Sequence, residues 1–246
     1  MIDTHAHLGA LDDPDAAVER AAAAGVTRIL TVGTDIEDCR RNLRLAEAHD
    51  GVSAILGLHP HEAGDATDED LVALRELLAH PKAVAVGETG LDWFRDYAPR
   101  DAQQRLFARH LELAAELGKP VVIHTRAADD DTLAALAGHA GAVVLHCFSS
   151  PRLLPTALER GWYVSFAGNA SFPKAVDLRL AATQVPADRI LAETDSPYLA
   201  PQPMRGRPNE PAYVVHTLAA LAQARGEEPG ELKAQIDANA TACFSL

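Results

Sequence analysis

Cysteine is scarce. Only Cys39, Cys147 and Cys243 occur in 246 residues, an odd and widely spaced set. That excludes a disulfide framework and fits a reducing compartment. Long apolar runs are missing as well: none approaches the ~18 residues that would cross a bilayer, so no membrane partner is expected. The N-terminus, Met-Ile-Asp-Thr-His, carries neither a basic nor an apolar leader segment. No secretory signal is therefore expected, and the expected compartment is the cytoplasm. Internal repeats, low-complexity tracts and linkers are also lacking, so the expectation is one domain over residues 1–246. Basic residues are in the minority, 22 Lys and Arg against 35 Asp and Glu, giving a formal net charge of −13. Such a total argues against non-specific binding to nucleic acid or anionic membrane.

Hydrophobic residues are plentiful, 48% of the chain, which is enough to bury a substantial core. Continuous apolar, β-branched runs predict strands at 2–5, 27–32, 52–58, 83–88, 120–124, 142–146, 162–166 and 189–193. Helical spacing between them predicts helices at 14–24, 35–49, 67–79, 101–117, 129–137, 151–160, 174–184 and 212–225, with a last one at 229–240. Thr67 is placed to cap its helix, with Asp70 three residues on. Gly118 follows 101–117 as a C-terminal cap. Strands alternating with helices imply parallel strands joined by crossovers, hence either an open doubly wound sheet or a (β/α)₈ TIM barrel. A barrel of this type needs about 250 residues.

The choice falls on the barrel because of where histidines and acids sit. His5, His7, Glu88, His124, His146 and Asp195 each lie at the end of a predicted strand. An open sheet gathers ligands at one switch point, whereas a barrel collects side chains from many strand ends on one face. In His5-Ala6-His7 the two imidazoles are two apart and point to one side of a strand. Glu88 has Gly87 before it and Gly90 after it, which gives the backbone room for a tight turn, and a carboxylate can bridge two cations. His124 and His146 each follow three apolar residues, and Asp195 lies just past the last strand. Taken singly, each has a plain alternative: a hydrogen-bonded core histidine, a solvated loop glutamate or a turn aspartate. Together they read as a dinuclear metal site. Imidazole with carboxylate suits Zn²⁺, Mn²⁺ or Fe²⁺, with Mg²⁺ possible in a carboxylate-bridged site. Two ions about 3.5–4 Å apart serve hydrolysis.

At these residues the chain resembles the TatD family of metal-dependent hydrolases, many of which are deoxyribonucleases. The resemblance spans essentially the whole chain. It rests on His5-Ala6-His7, Gly57-Leu58-His59-Pro60-His61, Gly87-Glu88-Thr89-Gly90-Leu91-Asp92, the strand ending in His124, His146-Cys147-Phe148-Ser149, Glu193-Thr194-Asp195-Ser196-Pro197-Tyr198-Leu199 and Asn209-Glu210-Pro211. It implies a (β/α)₈ barrel and two divalent ions, Mg²⁺, Mn²⁺ or Zn²⁺. His5, His7, Glu88 and Asp195 would hold one ion, and Glu88, His124 and His146 the other. His59 would take part in phosphodiester cleavage. Three departures fall in presumed substrate loops: Ala127-Ala128 where an acidic residue often follows the arginine, Ser150 where glycine is frequent, and Arg205-Gly206-Arg207-Pro208 before Asn209.

The function expected is hydrolysis of DNA phosphodiester bonds by a metal-activated water, from single-stranded or short ends. Asp195 would orient or deprotonate the water, His59 would protonate the leaving oxygen or hold a phosphate, and Glu88 would pair the metals. Arg126, Trp93, Arg205 and Asn209 are the expected substrate-binding residues. Arg95, Arg100, Arg126, Arg152, Lys174, Arg205 and Arg207 all follow strands four to eight and would form a local cationic mouth on the acidic chain. Trp93, Phe94, Tyr97, Phe172 and Tyr198 could stack on bases. The chain is expected as a monomer or weak homo-oligomer. One rival is hydrolysis of a carboxylic ester, lactone or aminoacyl-tRNA on the same scaffold. A rival of another class is a non-catalytic metal-binding scaffold, disfavoured by ligands at all six positions.

Overall fold

The structure is a computed structural model that describes residues 1–95 and 97–246. Among the described residues, eight strands alternate with helices: β1 (Ile2–Ala6), α1 (Pro14–Ala23), β2 (Arg28–Gly33), α2 (Ile36–Ala48), β3 (Val52–Leu56), α3 (Asp68–Leu78), β4 (Ala83–Asp92), α4 (Arg100–Leu117), β5 (Val121–Arg126), α5 (Asp129–Leu136), β6 (Val143–Leu145), α6 (Leu154–Glu159), β7 (Tyr163–Phe166), α7 (Val176–Gln184), β8 (Ile190–Ala192), α8 (Val214–Arg225) and α9 (Pro229–Phe244). The strand order in the sheet follows the chain from β1 to β8. The fold class is the (β/α)₈ barrel. No helix is long and apolar enough to cross a membrane, and the three cysteines form no disulfide among the described residues.

The chain folds into two compact units, Met1–Thr31 with His146–Leu246 (unit 1) and Val32–Leu145 (unit 2). In unit 1, β1 pairs in parallel with the start of β2, β7 pairs with β8, and Ala6 bridges to Ser196 just past β8. Ile2, Ile29, Leu30, Val164, Phe166, Ile190 and Leu191 are buried. Phe148 meets Phe166 edge to face at 5.7 Å between ring centres, the arrangement that ring quadrupoles favour. In unit 2, β3, β4, β5 and β6 pair in sequence. Helix α4 buries Leu106, Phe107, His110, Leu113 and Ala114, one face at helical spacing. The Thr67 and Asp70 side chains each accept the other's backbone N–H, a reciprocal cap on α3. Gly118 ends α4 in the left-handed region, φ +63°.

One local expectation fails. The sequence around Glu88 predicts a strand that stops there and turns; instead β4 continues to Asp92. Gly87 and Gly90 serve close packing rather than a turn. Gly90 lies opposite His124 in the β4–β5 register, and a Cβ there would sit 2.0 Å from the His124 carbonyl oxygen. At Gly87 a Cβ would come 2.6 Å from the Val122 carbonyl oxygen, and at Gly57 one would meet the Gly87 backbone at 2.6 Å. All are far inside van der Waals contact, so only glycine lets these strands approach so closely.

Candidate metal centre

In unit 2, β4 presents Glu88 and Asp92, four residues apart and hence on one side of the strand. Strand β5 presents His124, and the turn after β3 presents His59 and His61. Glu88 and Asp92 are buried. The Glu88 Oε1 lies 2.8 Å from His124 Nδ1 and 3.4 Å from His59 Nε2. The Asp92 Oδ2 lies 2.9 Å from His61 Nε2 and 3.3 Å from His124 Nε2. Its Oδ1 accepts the backbone N–H groups of Phe94 and Arg95. Burial raises the Asp92 pKa, but hydrogen bonds from His124, His61, Arg95 and Phe94 outweigh it and hold the carboxyl well below its usual range.

His124 lies between two carboxylates, its Nδ1 2.8 Å from Glu88 Oε1 and its Nε2 3.3 Å from Asp92 Oδ2, and which nitrogen donates depends on the tautomer. Imidazole and carboxylate donors in this relation fit a divalent ion. His59 is different. Its Nδ1 accepts the His61 backbone N–H at 3.1 Å, so neutral His59 carries its proton on Nε2, towards Glu88. Burial is the main cause pushing its imidazolium down to about 4. The Nε2, Glu88 and His124 donors lie near enough for one ion, yet the His61 N–H makes His59 a hydrogen-bond donor rather than a ligand.

In unit 1, β1 presents His5 and leads into His7, the turn after β6 presents His146, and the turn after β8 presents Asp195. Ligand atoms of His5, His146 and Asp195 all lie within 4.8 Å of one another. The His5 and His146 rings stack at 3.9 Å, and the Asp195 Oδ1 lies 3.4 Å from His7 Nε2 and 3.9 Å from His5 Nε2. Burial works against the Asp195 carboxylate, but His7, His146 and His5 lower its pKa below the ordinary value. Behind the ligands, buried Glu193 accepts from His146 Nδ1 at 3.1 Å, from the Cys147 backbone N–H at 2.8 Å, and from the Ser165 hydroxyl. The grouping of His146 with His5 and Asp195 differs from the partition that the resemblance implies, which puts it with Glu88 and His124.

This is the geometry against which relatives can be read. The sequence profile of the TatD related DNase family matches residues 2–245. The chain belongs to the TatD family. It is a metal-dependent hydrolase of the TatD type, an enzyme acting on ester bonds. It is 42% identical to the uncharacterized metal-dependent hydrolase TatD of Mycobacterium tuberculosis, covering 100% of this chain and 98% of that one. It is 38% identical to the 3′-5′ ssDNA/RNA exonuclease TatD of Cronobacter sakazakii, covering 94% and 92%. The crystal structure of YjjV, a TatD homologue from Escherichia coli K12, superposes with a TM-score of 0.94 at 32% identity, covering 100% of this chain and 98% of that one.

The remaining sequence-predicted residues of this TatD-family chain divide by exposure. Arg95, Arg100 and Arg126 of unit 2, and Arg152, Lys174, Arg205 and Arg207 of unit 1, are all exposed. Arg126 lies over the Phe94 ring at 4.0 Å and Arg100 over Trp93 at 4.8 Å. Trp93 donates its indole N–H to Asp131 at 2.8 Å, so its position is set by a carboxylate and an arginine. Arg205 lies over Phe172 at 4.2 Å. Asn209, expected to bind substrate, is buried instead. Its Nδ2 donates to the Thr194 and Tyr198 carbonyls, and its Oδ1 accepts the Glu210 N–H. Its polar atoms thus tie down the loop that carries Asp195. Asp92, His61 and Glu193 were not singled out from sequence. The signal was present for one of them: Glu193 is two residues from Asp195, whereas the predicted strand ends at Glu88 and hides that Asp92 shares it.

Proposed function

We propose that the protein is a DNA exonuclease that shortens single strands or short ends, using two divalent ions, Mg²⁺, Mn²⁺ or Zn²⁺. His5, His7, Glu88, His124, His146 and Asp195 would hold them, with Glu88 serving both as the family resemblance implies. The observation that carries the metal reading is the convergence of imidazole and carboxylate donors: ligand atoms of His5, His146 and Asp195 lie within 4.8 Å of one another, and Glu88 Oε1 lies 2.8 Å from His124 Nδ1. The substrate reading is supported by the Cronobacter sakazakii relative, named a 3′-5′ ssDNA/RNA exonuclease, and points to cleavage from the 3′ end. When bound, divalent ions polarise a phosphoryl oxygen and lower the pKa of water toward about 7.

The chain's own groups supply the rest. Asp195, with a second carboxylate oxygen, orients the attacking water and accepts its proton. His59, neutral with its proton on Nε2, donates a hydrogen bond from that nitrogen to the leaving oxygen or to a phosphate oxygen. Arg126 and Arg205 neutralise phosphate charge, and Trp93 offers a stacking face. The acidic composition and the few, widely spaced cysteines support a cytoplasmic enzyme, and we propose a monomer or weak homo-oligomer.

The test is hydrolysis of end-labelled single-stranded DNA by metal-stripped protein, with each ion added back. Metal-dependent stepwise shortening is expected, lost in Glu88→Ala. His59→Ala should lose about 10²–10⁴-fold in turnover while binding metal as the wild type does. If His59→Ala lost metal, His59 would be a ligand rather than a hydrogen-bond donor. Stoichiometric metal binding without cleavage of any oligonucleotide would overturn the nuclease reading and leave a carboxylic ester, lactone or aminoacyl-tRNA as substrate.

A further inference from the structure

Glu193 is a carboxylate with no route to a substrate. It is buried, with 0% of its surface exposed, and it lies at the end of β8 under the turn that carries Asp195. Each of its oxygens is engaged. Oε1 accepts from His146 Nδ1 at 3.1 Å and from the Cys147 N–H at 2.8 Å. Oε2 accepts from the Ser165 hydroxyl. Placing a carboxylate in the interior is costly unless every lone pair finds a donor. A residue needed only to fill this space would be apolar.

The contact to His146 gives the carboxylate a use. A neutral imidazole carries one proton, and which nitrogen carries it depends on the partner of the other. An acceptor-only carboxylate at Nδ1 fixes the proton there. The atom left with a lone pair for an ion is then Nε2. The Cys147 N–H on the same Glu193 oxygen locks the backbone next to His146, so ring and main chain are set by one group. We propose that Glu193 is a positioning residue: it holds His146 as the Nδ1–H tautomer with Nε2 directed to metal binding. It also raises the basicity of that nitrogen, because a negative charge at Nδ1–H pushes electron density across the ring. The inference rests on metal binding by the His5, His146 and Asp195 group and not on the choice of substrate.

Two measurements test it. The first is metal affinity, by calorimetric titration of metal-free protein with Mn²⁺ and Zn²⁺. Glu193→Gln keeps the shape and an acceptor oxygen but removes the charge, and Glu193→Ala removes both. The expected losses of affinity are about 10-fold for Gln and nearer 100-fold for Ala. Ser165→Ala, which breaks only the bond to the far oxygen, is expected to stay within about threefold. A folded Glu193→Gln and Glu193→Ala that both bind metal as the wild type does would overturn the proposal. The second measurement needs no Glu193 variant. Long-range ¹H–¹⁵N correlation spectra of the metal-free wild type, with His146 assigned by loss of its signals in His146→Gln, report the tautomer directly. Nδ1–H is expected, and Nε2–H would overturn the proposal even if the Glu193 variants failed to fold. Neither readout involves nucleic acid, so a failed exonuclease assay leaves this test intact.

Discussion

Unit 2 and unit 1 present the same kinds of donor, imidazole and carboxylate, by opposite backbone means. In unit 2, Glu88 stands between Gly87 and Gly90, whose φ values are +145° and +137°. In unit 1 no glycine flanks His146 or Asp195. Instead Cys147, Asp195 and Leu199 themselves take φ values of +44°, +56° and +52°. A left-handed backbone costs a non-glycine residue roughly 1–2 kcal/mol. Unit 1 offsets this with hydrogen bonds: Cys147 N–H to Glu193, Asp195 N–H to the His5 carbonyl, and Tyr198 N–H to the Asp195 carbonyl, with Asn209 gripping both sides of the turn. The difference teaches what each position demands. At Gly90 the limit is space beside β5, which no hydrogen bond can relieve. At Cys147 and Asp195 the limit is only conformational, so any well-tied residue can serve and the position is free to carry a ligand. The two units also share a device: a buried carboxylate behind the imidazoles, Asp92 for His61 and His124, Glu193 for His146.

The comparison breaks most visibly at Gly90. Gly90→Ala places a methyl 2.0 Å from the His124 carbonyl oxygen at φ +137°, and the β4–β5 register has no slack to move it. A loss of about 4 kcal/mol or more is expected, the range reserved for severe backbone or packing conflict. Denaturant unfolding of metal-free protein would measure it. The control is Gly118→Ala, also left-handed at φ +63° but with nothing within 4 Å of the added Cβ, which should cost about 1 kcal/mol. Equal costs at the two positions would show that conformation, not space, selects glycine at 90.

How much of this could be read from sequence depends on the range of the interaction. All eight strands were legible because each is a short apolar run of buried residues, and the Thr67–Asp70 cap and Gly118 were legible because caps are local. The candidate donors could be named from sequence because each stands at or near the end of a short apolar run. The run of β4 through Gly87 and Gly90 was not, because the reason lies in the His124 and Val122 carbonyls more than 30 residues away. Asn209 looked like a substrate contact from position in the chain; what it touches, Thr194 and Tyr198, is set by tertiary packing. Glu193 and Asp92 read as motif letters until the imidazoles behind which they sit were in place.

A second prediction concerns how unit 2 holds the turn that carries His59. Buried His110 on α4 accepts the Leu58 N–H at Nε2, 2.9 Å away, and its Nδ1 lies 2.8 Å from the Leu106 carbonyl. That arrangement needs a neutral ring, and burial pushes the imidazolium down from 6.5 to about 4. In the unfolded chain the ring still protonates near 6.5, so between these values the unfolded state binds more protons. The stability this group contributes is complete above pH 6.5 and is lost as pH falls from there towards 4, by roughly 3 kcal/mol in all. His110→Gln can accept the Leu58 N–H without titrating. The gap in unfolding free energy between wild type and His110→Gln should therefore shift against the wild type by up to about 3 kcal/mol between pH 7 and pH 4, measured without metal. A gap independent of pH would mean that His110 titrates alike in both states.

The smallest effect is expected from running the glycine exchange in the opposite direction in unit 1. Cys147→Gly keeps the backbone N–H that Glu193 accepts and removes a side chain that supplies no ligand in the proposed set. Relief of the φ +44° conformation gains about 1 kcal/mol. The greater freedom of glycine in the unfolded chain takes back about 0.5–1 kcal/mol. The two nearly cancel, so the unfolding midpoint should move by the equivalent of no more than about 0.5 kcal/mol, with metal affinity unchanged. Placed beside Gly90→Ala, the pair separates the two backbone strategies: one position tolerates exchange with glycine because hydrogen bonds already hold it, and the other does not because atoms already fill the space. A loss above about 1.5 kcal/mol in Cys147→Gly would show that the thiol side chain itself packs the turn, and that hydrogen bonding alone does not hold His146 in place.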